Sequence, residues 1–320
     1  MAQPAKTRDA SVDVAPQLPS LVTLKKASRW LSEFSRNVTS QCGEDGIIEK
    51  ALSLLPELDH WCVEFGAWDG KYASNTFNLV DRLDYNVVLI EMDPGKYGQL
   101  CSSYPHKDRA IFLNECVGWT AGDGLDHLLR QRPVPRNFDL LSVDVDGNDY
   151  HIWNATAEFR PKLVLIEYNY TMANGVDFSQ SADARLQQGS SAAALVGLAK
   201  KKGYELIAVT KLNLLFVDRQ YYDLFKIADN SLEVMRDEEP NYVFFGYDGT
   251  VFLAGGCSLE WHPGLRLSAQ KIQVLPRILR SYPPTYTFVQ RRLFTFYFLL
   301  THPREGLARL VNYFKRSFLR

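Results

Sequence analysis

Long apolar runs are missing from this chain: no segment reaches the roughly 20 consecutive apolar residues needed to cross a bilayer. Cysteine is scarce. The five residues Cys42, Cys62, Cys101, Cys116 and Cys257 are odd in number and form no C-x-x-C pair, which argues against a disulfide framework or a zinc knuckle. Cys62 and Cys116 fall in apolar stretches read as strands, where a reduced thiol behaves as a small hydrophobe. Lys6 and Arg8 have no apolar run behind them, so a secretory leader is not expected and a reducing, cytoplasmic setting is. Charge of one sign is lacking too: 36 Lys and Arg stand against 37 Asp and Glu, and a net charge of −1 argues against general nucleic-acid binding. Also absent is the dinucleotide fingerprint G-x-G-x-x-G, because Ala67, Trp68 and Asp69 separate Gly66 from Gly70. A pyrophosphate cradle is therefore not expected.

What is present is a strand, a glycine turn, a helix and a second strand ending in acid. Apolar Trp61 to Phe65 reads as a short buried strand, Gly66 and Gly70 permit a tight turn, and a helix should open near Ser74. Val87 to Ile90 then delivers Glu91, 21 residues beyond Gly70, near the interval of about 20 at which an acid meets ribose hydroxyls. Glu64, Asp69, Glu91 and Asp93 make the turn acidic, which suits a cationic, sugar-bearing ligand without phosphates; S-adenosylmethionine has that chemistry. An ordinary turn with solvated acids is the plainer alternative.

The pattern continues as helix and strand in alternation, implying a mostly parallel sheet with helices on both faces. Strands are expected at Ala110 to Leu113, Phe138 to Val143 and Leu163 to Glu167, and helices at Arg29 to Ser35, Ile47 to Leu55, Leu125 to Arg130 and Ser190 to Lys202, the last stopped by Gly203. Tyr204 to Val209 and Leu214 to Val217 are separated by four residues, too few for a helical crossover, so they must run antiparallel. A parallel sheet closed by an antiparallel hairpin is a Rossmann-like class I methyltransferase arrangement rather than a dehydrogenase one. The expected organisation is a lead-in without order at 1–27, an α/β domain at 28–235, a β-hairpin appendage at 236–262 around Asp248-Gly249, and a basic, aromatic helical tail at 263–320.

Several segments in order, SQCGEDGII at 40–48, VEFGAWDG at 63–70, SNT at 74–76, LIEMDP at 89–94, SVDVDGNDYHIW at 142–153, LVLIEYN at 163–169 and GYELIAVTKLNLLFV at 203–217, resemble the FkbM-type S-adenosylmethionine-dependent methyltransferases and span about 180 of the 320 residues. Cofactor-facing positions are expected at Glu64, Gly66, Ala67, Asp69, Gly70, Asn75, Glu91, Met92, Asp144 and, at the end of the third strand, Asn114; the resemblance implies that Gln41, Glu44 and Asp45 lie nearby. Helix capping accounts for Glu44 and Asp45 equally well. Asn213 also matches the family pattern, as would any turn asparagine.

Ligands of open α/β sheets bind outside the carboxyl ends of the strands, a rule that selects Asp69, Glu91, Asn114, Asp144, Asp146 and Glu167. Methyl transfer to oxygen requires alignment and a base for the hydroxyl proton, and Asp144, Asp146 and His151 are the candidates. Asn148, Glu167, Tyr168 and Asn169 could line the acceptor side, beneath a polar loop from Thr171 to Gln188 that reads as a lid. Asp144, Asp146 and Asn148 could offer three oxygens to a divalent metal, but a metal is not expected, and the glycine at the fourth position excludes an EF-hand. The competing view makes these acids helix caps.

From Trp261 onward eleven Lys and Arg face one acid, Glu305, so the tail carries about +10 and the remainder about −11. Thr287 to Leu300 and Leu307 to Leu319 read as amphipathic helices broken at His302-Pro303, which could lie on a membrane surface or pack on the domain or a second copy. The expected activity is O-methylation of a sugar, glycan precursor or similar small metabolite. Two other classes stand beside it: a nucleotide-sugar glycosyltransferase using Asp144-Val145-Asp146 to hold metal, and a non-catalytic membrane-associated binding protein.

Overall fold

The computed structural model describes residues 28–308 apart from 260, 263, 264 and 284; the expected lead-in at 1–27 and most of the second tail helix lie outside these residues. Residues 28–170 and 174–238 make one compact unit, and 171–173 with 239–308 another.

The first unit is built on a seven-stranded sheet. Its strands are β1 (Trp61–Phe65), β2 (Asn86–Ile90), β3 (Ala110–Leu113), β4 (Leu140–Val143), β5 (Leu163–Glu167), β6 (Tyr204–Val209) and β7 (Asn213–Asp218), in the order β3-β2-β1-β4-β5-β7-β6. The first five pair in parallel; β7 runs antiparallel to both β5 and β6. This is the expected Rossmann-like sheet, mostly parallel and closed by one antiparallel hairpin. The apolar runs dictate it: Val87–Ile90, Leu140–Val143 and Leu163–Ile166 are buried throughout, as strands covered by helices on both faces must be. The covering helices are α1 (Glu44–Leu52), α2 (Phe77–Leu83), α3 (Pro94–Ser103), α4 (Leu125–Leu129), α5 (Asp149–Ala155), α6 (Ala192–Lys202) and the short α7 (Leu232–Met235).

Local signals fix the helix ends. The Asp93 carboxylate accepts from the Gly95 and Lys96 N–H groups to start α3, with Pro94 in its first turn. Ser191 does the same for α6 through Ala194 N–H, and Gly203 ends that helix in the left-handed conformation. Three expectations need correction. Arg29 to Ser35 is a 3-10 turn, Trp30–Phe34, rather than an α-helix. Helix α1 starts at Glu44, three residues earlier than the apolar pattern suggested, because Gly43 takes a left-handed turn at its start. Cys116 is exposed, since β3 stops at Leu113; Cys62 is buried in β1, and all five thiols are free.

The second unit contains the antiparallel hairpin β8 (Tyr242–Phe245) and β9 (Val251–Ala254), with Gly249 of the Asp248-Gly249 turn at φ 80°, and helix α8 (Phe288–Thr301). Residues 303–308 are helical after the break at His302.

Candidate active site

The chain leaves β1 towards one edge through β2 and β3, then returns to place β4 and β5 on the other side, so the crevice opens between the carboxyl ends of β1 and β4. Gly66 sits there at φ 75°, and a Cβ on it would lie 2.0 Å from the Asp144 carbonyl oxygen. Only glycine lets the two strand ends approach this closely. The N–H groups of Gly66 and buried Ala67 both donate to Ile90 O, tying the turn to β2 (3.1 and 3.2 Å). Gly70, at φ 76°, lies against Leu100 and Tyr104, where any Cβ would collide.

The four acids of this region are held more tightly than their exposure in sequence implies. Glu64 is buried and accepts from Ser74 Oγ, Asn75 N–H and Thr76 Oγ1 at 2.6, 2.8 and 2.6 Å, while burial pushes its carboxyl up. Asp69 Oδ1 closes its own turn by accepting from Lys71 and Tyr72 N–H. Asp93 caps α3. Glu91, buried as well, ties the end of β2 to the glycine turn: Oε2 accepts from Trp68 N–H at 2.9 Å, Oε1 from Asp93 N–H at 2.8 Å, and no described cation pairs with it. Glu64 thereby braces the segment 74–76. Asn75 is likewise buried, its Nδ2 donating to Ser142 Oγ at 3.2 Å. Met92 and Asn114 stay exposed beyond β2 and β3, and Asn114 Nδ2 donates to Glu91 O at 2.8 Å.

Helix α1 adds a polar layer. Asp45 Oδ2 accepts from Val38, Thr39 and Ser40 N–H (2.7, 2.9 and 2.8 Å), and Glu44 accepts from Cys42 N–H, Thr210 Oγ1 and Asn213 Nδ2 (2.7, 2.6 and 3.2 Å). These carboxylates bind the preceding segment and the β6–β7 turn instead of capping their own helix. Asp45 Oδ1 and Asn213 Oδ1 are buried with no hydrogen-bond partner. The Asp45 charge also contributes to raising Glu64, after burial.

At the ends of β4 and β5, Asp144, Asp146 and Glu167 each present an oxygen within 4.8 Å of the others. Asp144 and Glu167 share a hydrogen bond, and burial followed by the neighbouring carboxylates drives both well above the usual carboxylate range. Two carboxyls in such contact hold a proton between them. Asp146 is exposed at φ 57°, a left-handed conformation uncommon for a residue with a Cβ. Asp149 is held at about 6 by burial and receives the Val145 and Gly147 N–H groups (2.9 Å each), which fixes the loop carrying Asp146. Three oxygens at such separations are a donor set for a divalent cation, and the third comes from Glu167 on the next strand. Asn148 is buried; its Nδ2 donates to Asp183 O at 3.3 Å, and Oδ1 has no partner.

His151 Nε2 lies 2.7 Å from Gln180 O and donates to it, which leaves the ring's basic lone pair on Nδ1. Tyr168 is buried, its hydroxyl donating to Thr210 O and accepting from Arg236 Nε (both 3.1 Å); Asn169 Nδ2 donates to Gln188 O at 2.9 Å. These contacts anchor the chain leaving β5. The loop that reads as a lid is stapled: buried Gln180 accepts from Gln188 and Gly189 N–H through Oε1 and donates to Leu186 O through Nε2.

No family model matches the chain, and no curated protein matches it. Solved structures do. TrmK of M. capricolum with S-adenosylhomocysteine is 8% identical with a TM-score of 0.36, covering 53% of this chain and 67% of that one. TYW2 of M. jannaschii with AdoMet is 16% identical at 0.31 (57% and 79%), and the glycopeptide N-methyltransferase MtfA with S-adenosylmethionine 12% at 0.33 (53% and 84%). At such identities and scores the likeness is too distant to bear on chemistry, and the fold stands on its own strand order.

Proposed function

We propose that the chain is an S-adenosylmethionine-dependent methyltransferase acting on a hydroxyl of a sugar, a glycan precursor or a similar small metabolite. The observation that carries this reading is Glu91, a carboxylate held beside the glycine turn at the switch point of a class I methyltransferase sheet, with lone pairs left for a ribose. The orphaned buried oxygens of Asp45 and Asn213 suit a donor such as the ammonium of the cofactor's amino-acid end. Gly66, Ala67 and Gly70 give the close backbone wall, and Met92 and Asn114 border the space beyond β2. The FkbM resemblance of the motifs points the same way.

The cofactor supplies a methyl carbon activated by the adjoining sulfonium. The residues then have two tasks. The proton-sharing pair Asp144 and Glu167 hydrogen-bonds the acceptor hydroxyl and orients it. Asp146, exposed beside them, takes the hydroxyl proton as the new C–O bond forms.

Calorimetric titration of the full chain with S-adenosylhomocysteine tests the reading, followed by methyl consumption across a panel of sugars. Failure to bind S-adenosylhomocysteine at millimolar concentration defeats it. Binding of a nucleoside-diphosphate sugar with Mg²⁺ or Mn²⁺ would favour glycosyl transfer, the reading for which the oxygens of Asp144, Asp146 and Glu167 are the supporting feature.

A further inference from the structure

Helix α8 shows solvent the side that a helix normally buries. The capping box of Thr287 and Gln290 fixes its start. One side is used within its own unit: Gln290 Nε2 donates to Ile278 O at 3.0 Å, the Tyr297 hydroxyl donates to Val274 O, and Phe294 lies 5.7 Å from Tyr286, ring centre to ring centre. The other side carries Val289, Leu293, Phe296 and Leu300, exposed to 63%, 40%, 63% and 65%. Their spacing of four, three and four residues puts them on one stripe of a 3.6-residue helix.

The charge beside that stripe is of one sign. Phe288 to Thr301 contains two arginines and no acid. The Arg292 guanidinium lies 5.2 Å from the centre of the exposed Phe288 ring, at the flank of the stripe. From Trp261 onward the chain carries about +10, against about −11 before it. A contiguous apolar stripe on a soluble surface marks a binding face. Aliphatic and aromatic side chains in a row, arginine at the edge and no carboxylate are complementary to a surface that is apolar beneath and anionic above. No described helix is long and apolar enough to cross a membrane, and α8 has 14 residues, so its geometry is that of a helix lying in the interface plane.

We propose that α8 docks the protein on an anionic lipid surface, burying Val289, Leu293, Phe296 and Leu300 below the head groups and placing Arg292 among them. The inference is separate from the methyl-transfer reading and stands or falls without it.

The test is sedimentation of the full chain with vesicles of phosphatidylcholine alone and of phosphatidylcholine mixed with phosphatidylglycerol, at low and high salt. Pelleting is expected with the mixed vesicles, weakened by salt and absent with the neutral ones. The double substitution Leu293→Asp/Phe296→Asp, on side chains that face solvent, should lower partitioning roughly tenfold or more while leaving the circular dichroism unchanged. Arg292→Glu should weaken binding to mixed vesicles and reduce its salt dependence. The proposal is overturned if the unaltered chain stays in the supernatant with mixed vesicles, or pellets equally after the Leu293/Phe296 change. It is also overturned if light scattering finds a dimer that the same change dissolves, because the stripe is then the seat of a second copy.

Discussion

Replacing Glu91 by Gln isolates the residue on which the cofactor reading turns. The amide has the same size, so the crevice keeps its shape, but one of its two ends becomes a donor. In the protein both carboxylate oxygens accept backbone N–H groups, from Trp68 at 2.9 Å and Asp93 at 2.8 Å, so one of those donors must lose its partner. Leaving a buried donor unpaired costs about 1–3 kcal/mol, and each kcal/mol lowers the melting temperature of a domain this size by about 2–4 °C. For the cofactor, losing one hydrogen bond to a charged acceptor removes about 1.5–3 kcal/mol, or roughly 10- to 150-fold in affinity. Titration calorimetry with S-adenosylhomocysteine, run below the variant's melting transition, measures that loss directly. Affinity within about threefold of the unaltered chain, where threefold is under about 0.7 kcal/mol, would refute a ribose contact at Glu91.

Three other outcomes are expected. Gly66→Ala forces a Cβ to within 2.0 Å of the Asp144 carbonyl at a left-handed φ, so urea unfolding should show a loss of about 2–5 kcal/mol, together with lost binding of S-adenosylhomocysteine. Asp144 and Glu167 bind a proton more tightly folded than unfolded, so their contribution to stability is complete below about pH 4 and is lost as pH rises through their elevated folded values. Stability measured by urea unfolding between about pH 5 and 9 should therefore fall with pH from this pair, and Glu167→Gln should flatten that slope; an unchanged slope would contradict the shared proton. Thermal unfolding should be the same in EDTA and in Mg²⁺, whereas a saturable rise with Mg²⁺ would turn Asp144, Asp146 and Glu167 into ligands.

The sheet was legible because buried parallel strands leave an unmistakable trace, as in Leu163 to Ile166, and because the short link between β6 and β7 allows only reversal. The roles of the acids were less so. A carboxylate in sequence looks the same whether it meets a ligand or its own backbone. Glu64 is claimed by residues 74–76, a match visible only once β1 and the loop before α2 are side by side. Glu167 joins Asp144 because β4 and β5 are neighbours, with Val143 beside Ile166, which spacing along 144–148 cannot reveal. His151 has its Nε2 fixed by the carbonyl of Gln180, 29 residues away, and no local pattern marks that contact.

Gln180 has a consequence for how acceptor preference could change. Its amide grips the returning strand of its own loop at Leu186, Gln188 and Gly189, while its carbonyl is fastened to His151 on α5. The span between, Ser181 to Arg185, thus hangs from fixed posts and meets Asn148 through the Asp183 carbonyl, so side chains there can be exchanged while the glutamine keeps the ends of the span in place.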